Sequence, residues 1–359
     1  MSFQLHINNR VYSKNEVLKT TDRGFVIDFC KKWLKGTSSF KITSSGSTGS
    51  PKLLNIQRSQ MITSARKTIE YFKLHKGTQA VLCMDPKFIG GMMMLVRALE
   101  GEWVLHVLTP AANPFIGNKS LPSFDFISLV PLQLREIIET GHGLELIQQA
   151  RVVLVGGAEV GPWLTTRCLQ LKPAIYSTYG MTETLSHIAV RQINGSNPDE
   201  SFTTLPGIEI KSNEAGCLTI CGDITFGKEL VTRDRVEITE SGQFKVLGRI
   251  DNVINSAGIK IQAEKVETQL ELIFHNYPDT YTFFVGGIPH PRWGEQVTLF
   301  IDKNLPFWED VKKKLSLHLN KYEVPKAFIV CPAFEMTPSG KINRKGTIAH
   351  FVKNQERKV

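Results

Sequence analysis

From about residue 60 the apolar positions switch period again and again. Helical spacing covers Met61 to Lys76, after which "AVLCM" is apolar throughout and predicts a strand. "GGMMMLVRALE" returns to helix and "WVLHVL" to strand. The alternation continues through "DFISLV", "PLQLREIIET", "RVVLV", "GPWLTTRCLQL" and "AIYST". Strands without a polar face, separated by helices, predict an α/β fold with a parallel sheet covered on both sides. Beyond residue 200 the helices stop. "GIEI", "GCLTI", "ITFGKELVT", "RVEIT" and "GQFKVLG" predict an antiparallel β subdomain. A third texture begins near Gly248, where helices "AEKVETQLELIF" and "WEDVKKKLSLHL" mix with strands "YTFFVGG", "QVTLFI" and "AFIVC". This predicts a large N-terminal domain over 1–247, a hinge at 248–251 and a small mobile α+β domain over 252–359.

Composition changes this picture little. The chain has 359 residues, 42% hydrophobic and 21% charged, as in ordinary globular proteins. No apolar run approaches the roughly 18 residues of a membrane span; the run from Phe88 to Val96 is interrupted by Arg97. "MSFQLHINNR" lacks the basic start and apolar core of a signal peptide, so a cytoplasmic location is expected. Six scattered cysteines, without metal-ligand spacing, predict reduced and mostly buried thiols. The net charge of +9 is spread along the chain with no aromatic-interleaved basic run. Small anionic substrates therefore fit better than nucleic acid.

Candidate chemistry concentrates in a few loops. "TSSGSTGSPK" spans residues 43–52 and holds no large apolar side chain. Gly46 and Gly49 free the backbone to approach a ligand, Ser45, Ser47 and Thr48 add hydroxyls, and Lys52 adds a cation. Its order is not that of the standard P-loop, and on composition a surface turn fits equally well. "VGGAEV" at 155–160 and "STYGMTET" at 177–184 each follow a strand, where open α/β sheets bind ligands. "TRDRVE" brings Asp234, "GRIDNVINSAGIKI" brings Arg249 and Asp251, and "TPSGKINRK" brings Lys341.

In this order the segments resemble the adenylate-forming superfamily of acyl-CoA synthetases, peptide-synthetase adenylation domains and luciferases. "SSGSTGSPK" matches the superfamily phosphate loop, Tyr179 to Glu183 its Tyr-Gly-x-Thr-Glu motif, and Asp234 its ribose aspartate. Gly248 to Asp251 match its Gly-Arg-x-Asp hinge, and Pro338 to Lys341 its Pro-x-Gly-Lys. The phosphate loop lies unusually early in the chain. Short forms of this kind, with "YGMTETLSHIAVR" and "MMMLVRAL", are similar to o-succinylbenzoate-CoA ligases of menaquinone (vitamin K2) synthesis.

The resemblance implies ATP and CoA as substrates, with Mg²⁺. ATP and a carboxylic acid would give an acyl-adenylate and pyrophosphate, and the CoA thiol would then displace AMP. Lys341 would bridge the carboxylate and the α-phosphate, Thr182 would bond that phosphate, and Glu183 would hold Mg²⁺. Ser45, Gly46, Ser47, Thr48, Gly49 and Lys52 would hold the phosphates. Gly157 and Ala158 would wall the adenine, Tyr179 would stack on it, and Asp234 beside Arg249 would take the ribose. A structural Asp-Arg pair is the competing reading of those two. Asp251 would be the pivot of the small domain, and Gly258 would approach the CoA channel. For the acyl pocket the candidates are Lys87, Ser186, His187 and Arg191, with His187 also fitting a packing role.

The chain departs from the superfamily pattern in places. "PKFIGG" puts Lys87 and Phe88 where many relatives have an aromatic-His pair, Leu53 replaces a glycine, and Ala263 and Lys265 replace Pro and Glu. The first of these bears on acyl specificity. Other acyl- or aryl-CoA synthetases, a carrier-loading adenylating enzyme and an inactive nucleotide-binding protein are the alternatives. The sequence leaves oligomeric state open.

Overall fold

The computed structural model describes residues 2–43, 53–118, 121–277, 281–337 and 342–356. Its first 204 residues supply all nine strands of one sheet. Strands β1 (Gln4–Ile7) and β2 (Arg10–Ser13) open the chain, followed by helices α1 (Lys14–Lys19) and α2 (Phe25–Leu34). A separate hairpin, β3 (Ser39–Thr43) and β4 (Leu53–Gln57), flanks residues 44–52 and leads into α3 (Arg58–Tyr71). Then come β5 (Gln79–Leu82), α4 (Ile89–Gly101), β6 (Val104–Val107), β7 (Phe126–Leu129), α5 (Pro131–Thr140), α6 (Leu144–Gln149), β8 (Val152–Val155), α7 (Pro162–Cys168) and β9 (Ala174–Gly180). Strands β10 (His187–Gln192) and β11 (Thr203–Thr204) complete the sheet.

The strand order is β11-β10-β9-β8-β7-β5-β6-β1-β2. Every pair from β9 to β1 is parallel, whereas β2, β10 and β11 join antiparallel at the edges. Because side chains alternate across a strand, the two faces feed two cores. Ala80, Leu82, Phe126 and Leu154 enter one core with α3 and α4 residues; Val81, Ile127, Val153 and Val155 enter the other with Leu134, Ile147 and Leu164 from α5, α6 and α7. The expected α/β architecture is thus present, with mixed edges that apolar runs alone do not disclose.

Two element boundaries differ from the sequence expectation. Helix α3 stops at Tyr71 rather than Lys76, since Lys73 adopts φ 49° and the Leu74 amide returns to the Ile69 carbonyl, a helix-closing turn. "ITFGKELVT" is not one strand. Thr225 Oγ1 bonds back to both backbone groups of Gly222, and Phe226 and Gly227 take positive φ, so the strand starts only at Leu230.

The second sheet runs β12 (Ile208–Ser212), β13 (Cys217–Gly222), β14 (Leu230–Ile238) and β15 (Phe244–Arg249), all antiparallel. Leu218, Ile220, Val236 and Phe244 pack into the same core as α3 and α4. After Arg249 the chain forms a third sheet from β16 (Val253–Ser256), β17 (Ile259–Gln262), β18 (Phe283–His290), β19 (Gly294–Ile301) and β20 (Ala327–Val330). Helices α8 (Ala263–Phe274), α9 (Trp308–Leu315) and α10 (Arg344–Glu356) accompany it. The third core draws its buried residues from Ile254 to Val324 and from no earlier part of the chain. All six cysteines are free, and burial pushes the thiols of Cys30, Cys83 and Cys168 up to about 12.

Candidate active site

A cleft of about 1910 Å³ opens where the parallel strands end. Met84 and Asp85 follow β5, Val130 follows β7, Gly156 to Glu159 follow β8, and Tyr179 to Glu183 close β9. Its opposite side is built by β14 and β15 and by Ile342 to Lys345. This is the C-terminal edge of the sheet, the usual ligand site of open α/β folds. Gly180 permits the tight return from β9 to β10, because a Cβ there would stand 2.1 Å from the Ser186 carbonyl oxygen. Gly157 has φ +85° and turns the chain over the mouth of β8.

At one end of the cleft Asp234 faces Arg249 across the β14–β15 pair. Its two oxygens are engaged separately. Tyr179 donates its hydroxyl to Oδ2 at 2.7 Å, and Arg249 Nη1 donates to Oδ1 at 3.0 Å. Burial and the adjacent Asp234 charge push the Tyr179 phenol far above its ordinary value, so it stays a neutral donor. Ion pairing between Asp234 and Arg249 is therefore part of the structure, and each carboxylate oxygen retains a lone pair for a further donor. Arg249 Nη2 also reaches Asp251 Oδ2 at 3.2 Å, while Arg233 clamps the same carboxylate through Nε at 2.6 Å and Nη2 at 2.5 Å. Burial alone would raise the Asp251 carboxyl, but Arg233, Arg249 and Lys345 hold it below the ordinary carboxylate range. Beyond Asp251 the contact is polar. Gln262 donates to the Arg249 carbonyl at 2.9 Å and accepts from Arg235 at 3.2 Å.

Thr182 is buried at the cleft wall and Glu183 beside it is exposed, and both line the cleft with Ala158. No group of three His, Cys, Asp or Glu side chains able to hold a metal occurs among the described residues. Glu183 could supply one oxygen to Mg²⁺ only if nucleotide phosphates and water supplied the rest, which is how Mg²⁺ is commonly held. Ser45, Gly46, Ser47, Thr48, Gly49, Lys52 and Lys341 lie outside the described residues; their neighbours Thr43 and Ile342 line the cleft. Lys87 is exposed and does not line it. Gly258, with φ +78°, sits in the β16–β17 turn and does not line it either.

Ser186, His187 and Arg191 also line the cleft. Arg191 stands 5.3 Å over the Phe202 ring, and burial lowers its guanidinium despite Glu159 and Asp199 nearby. His187 is 7% exposed and joined to Thr68 Oγ1 and Ser186 Oγ at 3.3 Å each. Burial first, then the charge of Arg97, pushes its imidazole well below 6.5, so His187 is neutral. Arg97 is the residue that sequence reasoning missed. It belongs to α4, is 2% exposed, and reaches Thr68 Oγ1 at 3.2 Å and Ser186 Oγ at 2.6 Å. A usable signal existed, since Arg97 is the single charge within a run that is apolar all round the helix.

The sequence model of the AMP-binding enzymes matches residues 26–216, more than half of the 359. The chain belongs to the AMP-binding enzyme family. Among solved members of similar fold is an acyl-CoA synthetase (AMP-forming)/AMP-acid ligase II-like protein from Dyadobacter fermentans. It is 35% identical, with 94% of this chain and 98% of that chain covered and a TM-score of 0.63. Within the family, then, the chain is of the AMP-forming acyl-CoA ligase type. A 2-succinylbenzoate–CoA ligase from Lactococcus lactis is 23% identical over 85% of this chain and 69% of its own length. One from Staphylococcus aureus is 27% identical over 84% of this chain, which spans 64% of that relative. The o-succinylbenzoate CoA synthetase (MenE) of Bacillus subtilis, in complex with its acyl-adenylate intermediate, shares the fold at 20% identity. Its TM-score is 0.73, with 85% of this chain and 68% of that chain covered. No described helix is long and apolar enough to cross a membrane.

Proposed function

We propose that the protein is an o-succinylbenzoate–CoA ligase of menaquinone biosynthesis, activating its acid through an acyl-adenylate and passing it to CoA. The observation that carries the reading is the single cleft. Tyr179, Asp234 and Arg249 line it together with Thr182, Glu183 and an Arg97-Ser186-His187 group. The curated relatives bearing that activity add support through their likeness over most of the chain.

In the first half-reaction the substrate carboxylate oxygen attacks the α-phosphorus of ATP, and pyrophosphate leaves. Negative charge builds on the α-phosphate oxygens, where Thr182 would donate its hydroxyl and Lys341 its charge. Asp234 would accept from the ribose hydroxyls with its remaining lone pairs, held in place by Tyr179 and Arg249. Ser45 to Lys52 would hold the β- and γ-phosphates, and Mg²⁺ at Glu183 would neutralise part of their charge. In the second half-reaction the CoA thiolate attacks the acyl carbon and AMP leaves. For this the segment after Asp251, with Gly258, would turn toward the cleft while Lys341 withdraws.

The test is thioester formation from o-succinylbenzoate with ATP, Mg²⁺ and CoA, beside benzoate and a medium-chain fatty acid, with Lys341→Ala as control. Selective turnover that falls at least a hundredfold in Lys341→Ala is the expected result. Preference for another acid would keep the adenylation chemistry and remove the menaquinone assignment. Turnover onto a carrier protein but not CoA would move the acceptor, and no pyrophosphate release with any acid would remove the ligase reading.

A further inference from the structure

Helix α8 meets the rest of the protein near the hinge and again two turns further on. Near the hinge, Glu264 Oε1 accepts from the Arg249 amide at 3.2 Å and from Asn252 Nδ2 at 2.5 Å. Glu271 lies about 10 Å further along the same helix, where α8 packs on α7 of the nine-stranded sheet. A contact beside a pivot leaves the angle of the moving part loosely set. One further out along the lever fixes it.

The close approach of α7 and α8 depends on Gly161. Its φ of −65° and ψ of 168° suit any residue, so its own backbone does not require glycine. Its neighbour does. A Cβ on Gly161 would stand 2.2 and 2.3 Å from the two carboxylate oxygens of Glu271 and 2.5 Å from its Cδ. Burial and then the Glu159 charge raise the Glu271 carboxyl, while Arg135 and the Trp163 N–H draw it down, so three residues from the nine-stranded part of the molecule act on it. Alongside, the Trp163 ring lies 5.9 Å from that of His275, which ends α8, and Arg135 stands 4.8 Å over the same indole. Gly161, Trp163, Glu271 and His275 all lie outside the cleft lining.

With this seam closed, Ile342 to Lys345 line the cleft and Gly258 does not. Lys341 directly precedes Ile342, so the closed seam goes with the half-reaction assigned above to Lys341. We propose that Gly161 and Glu271 form a latch that holds the part of the chain after Asp251 in this adenylating orientation, and that the latch opens before the acyl group passes to CoA. Glu271 is then a positioning residue. It acts by keeping the Ile342 to Lys345 segment against the cleft. The inference rests on the ligase reading for its two half-reactions.

The experiment compares the wild type with Gly161→Ala, Glu271→Ala and the double variant in each half-reaction separately. Acid-dependent pyrophosphate exchange reports the first, and single-turnover thioester formation from preformed acyl-adenylate and CoA the second. The easiest response to the new methyl group is for the Glu271 carboxylate to swing away, so Gly161→Ala opens the seam without removing a charge. Each single variant is expected to slow the exchange about tenfold in kcat, the scale of one lost contact to a charged group. KM for ATP and for the acid is expected to stay unchanged, and the thioester step to run as fast as in the wild type or faster. The double variant is expected to match Glu271→Ala, because the carboxylate that the methyl group displaces is already gone. Equal slowing of both half-reactions, or an exchange rate that does not fall, would overturn the latch. So would a full second loss when Gly161→Ala is added to Glu271→Ala. Amide hydrogen exchange from Trp163 to Cys168 is followed in the same proteins and is expected to quicken in Glu271→Ala. Should no acid release pyrophosphate, the ligase reading falls, and these amides still decide the latch, since unchanged protection in Glu271→Ala overturns it.

Discussion

Two arginines line one cleft in opposite circumstances. Arg249 meets two carboxylates, Asp234 at 3.0 Å and Asp251 at 3.2 Å, whereas Arg97 meets only hydroxyls. Arg249 is 28% exposed and compensated; Arg97 is 2% exposed and not. A charge that the chain neutralises itself belongs to the folded framework, here the junction between β15 and the third sheet. Arg97, deeper in the protein, is held by hydroxyls alone. Burial by itself therefore does not separate structural from functional arginines. The presence of a counter-charge does.

Replacing each arginine by methionine breaks the comparison most directly. Arg249→Met leaves Asp234 and Asp251 each short of a cationic partner, and loss of one member of a partly buried pair costs about 3 kcal/mol. Arg97→Met strands no acid, since Thr68 and Ser186 keep His187 between them, and replacing an unpaired buried charge by an apolar side chain stabilises by about 1 kcal/mol. Denaturant midpoints at constant slope are expected to move in opposite directions. Movement of both in the destabilising direction would make Arg97 a framework residue too. Asp234→Ala is expected to share the loss seen in Arg249→Met and to raise KM for ATP at least tenfold, measured by pyrophosphate exchange.

Acid sharpens the contrast. The Asp251 carboxyl is held low, so its contribution to stability is complete above the ordinary carboxylate range and is lost as pH falls through its lower folded value. His187 is also held low. Its neutral form contributes fully above 6.5, and that contribution is lost as pH falls through the folded value, when a second cation would face Arg97. His187→Gln removes this titration. The stability it loses between pH 7 and 5, read from denaturant midpoints, is expected to be smaller than that lost by the wild type, whose unfolded chain takes up a proton at His187 that the folded chain refuses.

The Tyr179, Asp234 and Arg249 group was the more legible in sequence because its residues are written in local strings. Tyr179 to Glu183 and Gly248 to Asp251 are contiguous motifs at strand ends, and the structure brings both to the cleft. Helix α8 coincides with its apolar pattern at both ends, since Ala263, Val266, Leu270, Ile273 and Phe274 set its buried face. The Arg97 group joins Thr68 of α3, Arg97 of α4 and the Ser186-His187 pair at the start of β10, with Thr68 and His187 119 positions apart. Only packing across the sheet connects them. Asp234 and Arg235 lie inside a single strand that charged residues made to look like two, because only Thr232 and Val236 of β14 are buried.

Ser186 carries the smallest effect and the finest distinction. Its hydroxyl accepts from Arg97 at 2.6 Å and donates to His187, so it orients the guanidinium without contributing charge. Ser186→Ala leaves Arg97 free to turn about its long side chain, and the lost hydrogen bond to a charged group corresponds to about 1.5 kcal/mol, or roughly tenfold in binding. If Ser186 acts through Arg97, that loss appears with the dicarboxylic acid in the wild-type background and vanishes when Arg97 is already methionine. A double-mutant cycle on KM measures the difference directly. A loss that is the same in both backgrounds would mean that Ser186 touches the substrate on its own account, and the orienting role would pass to Thr68 alone.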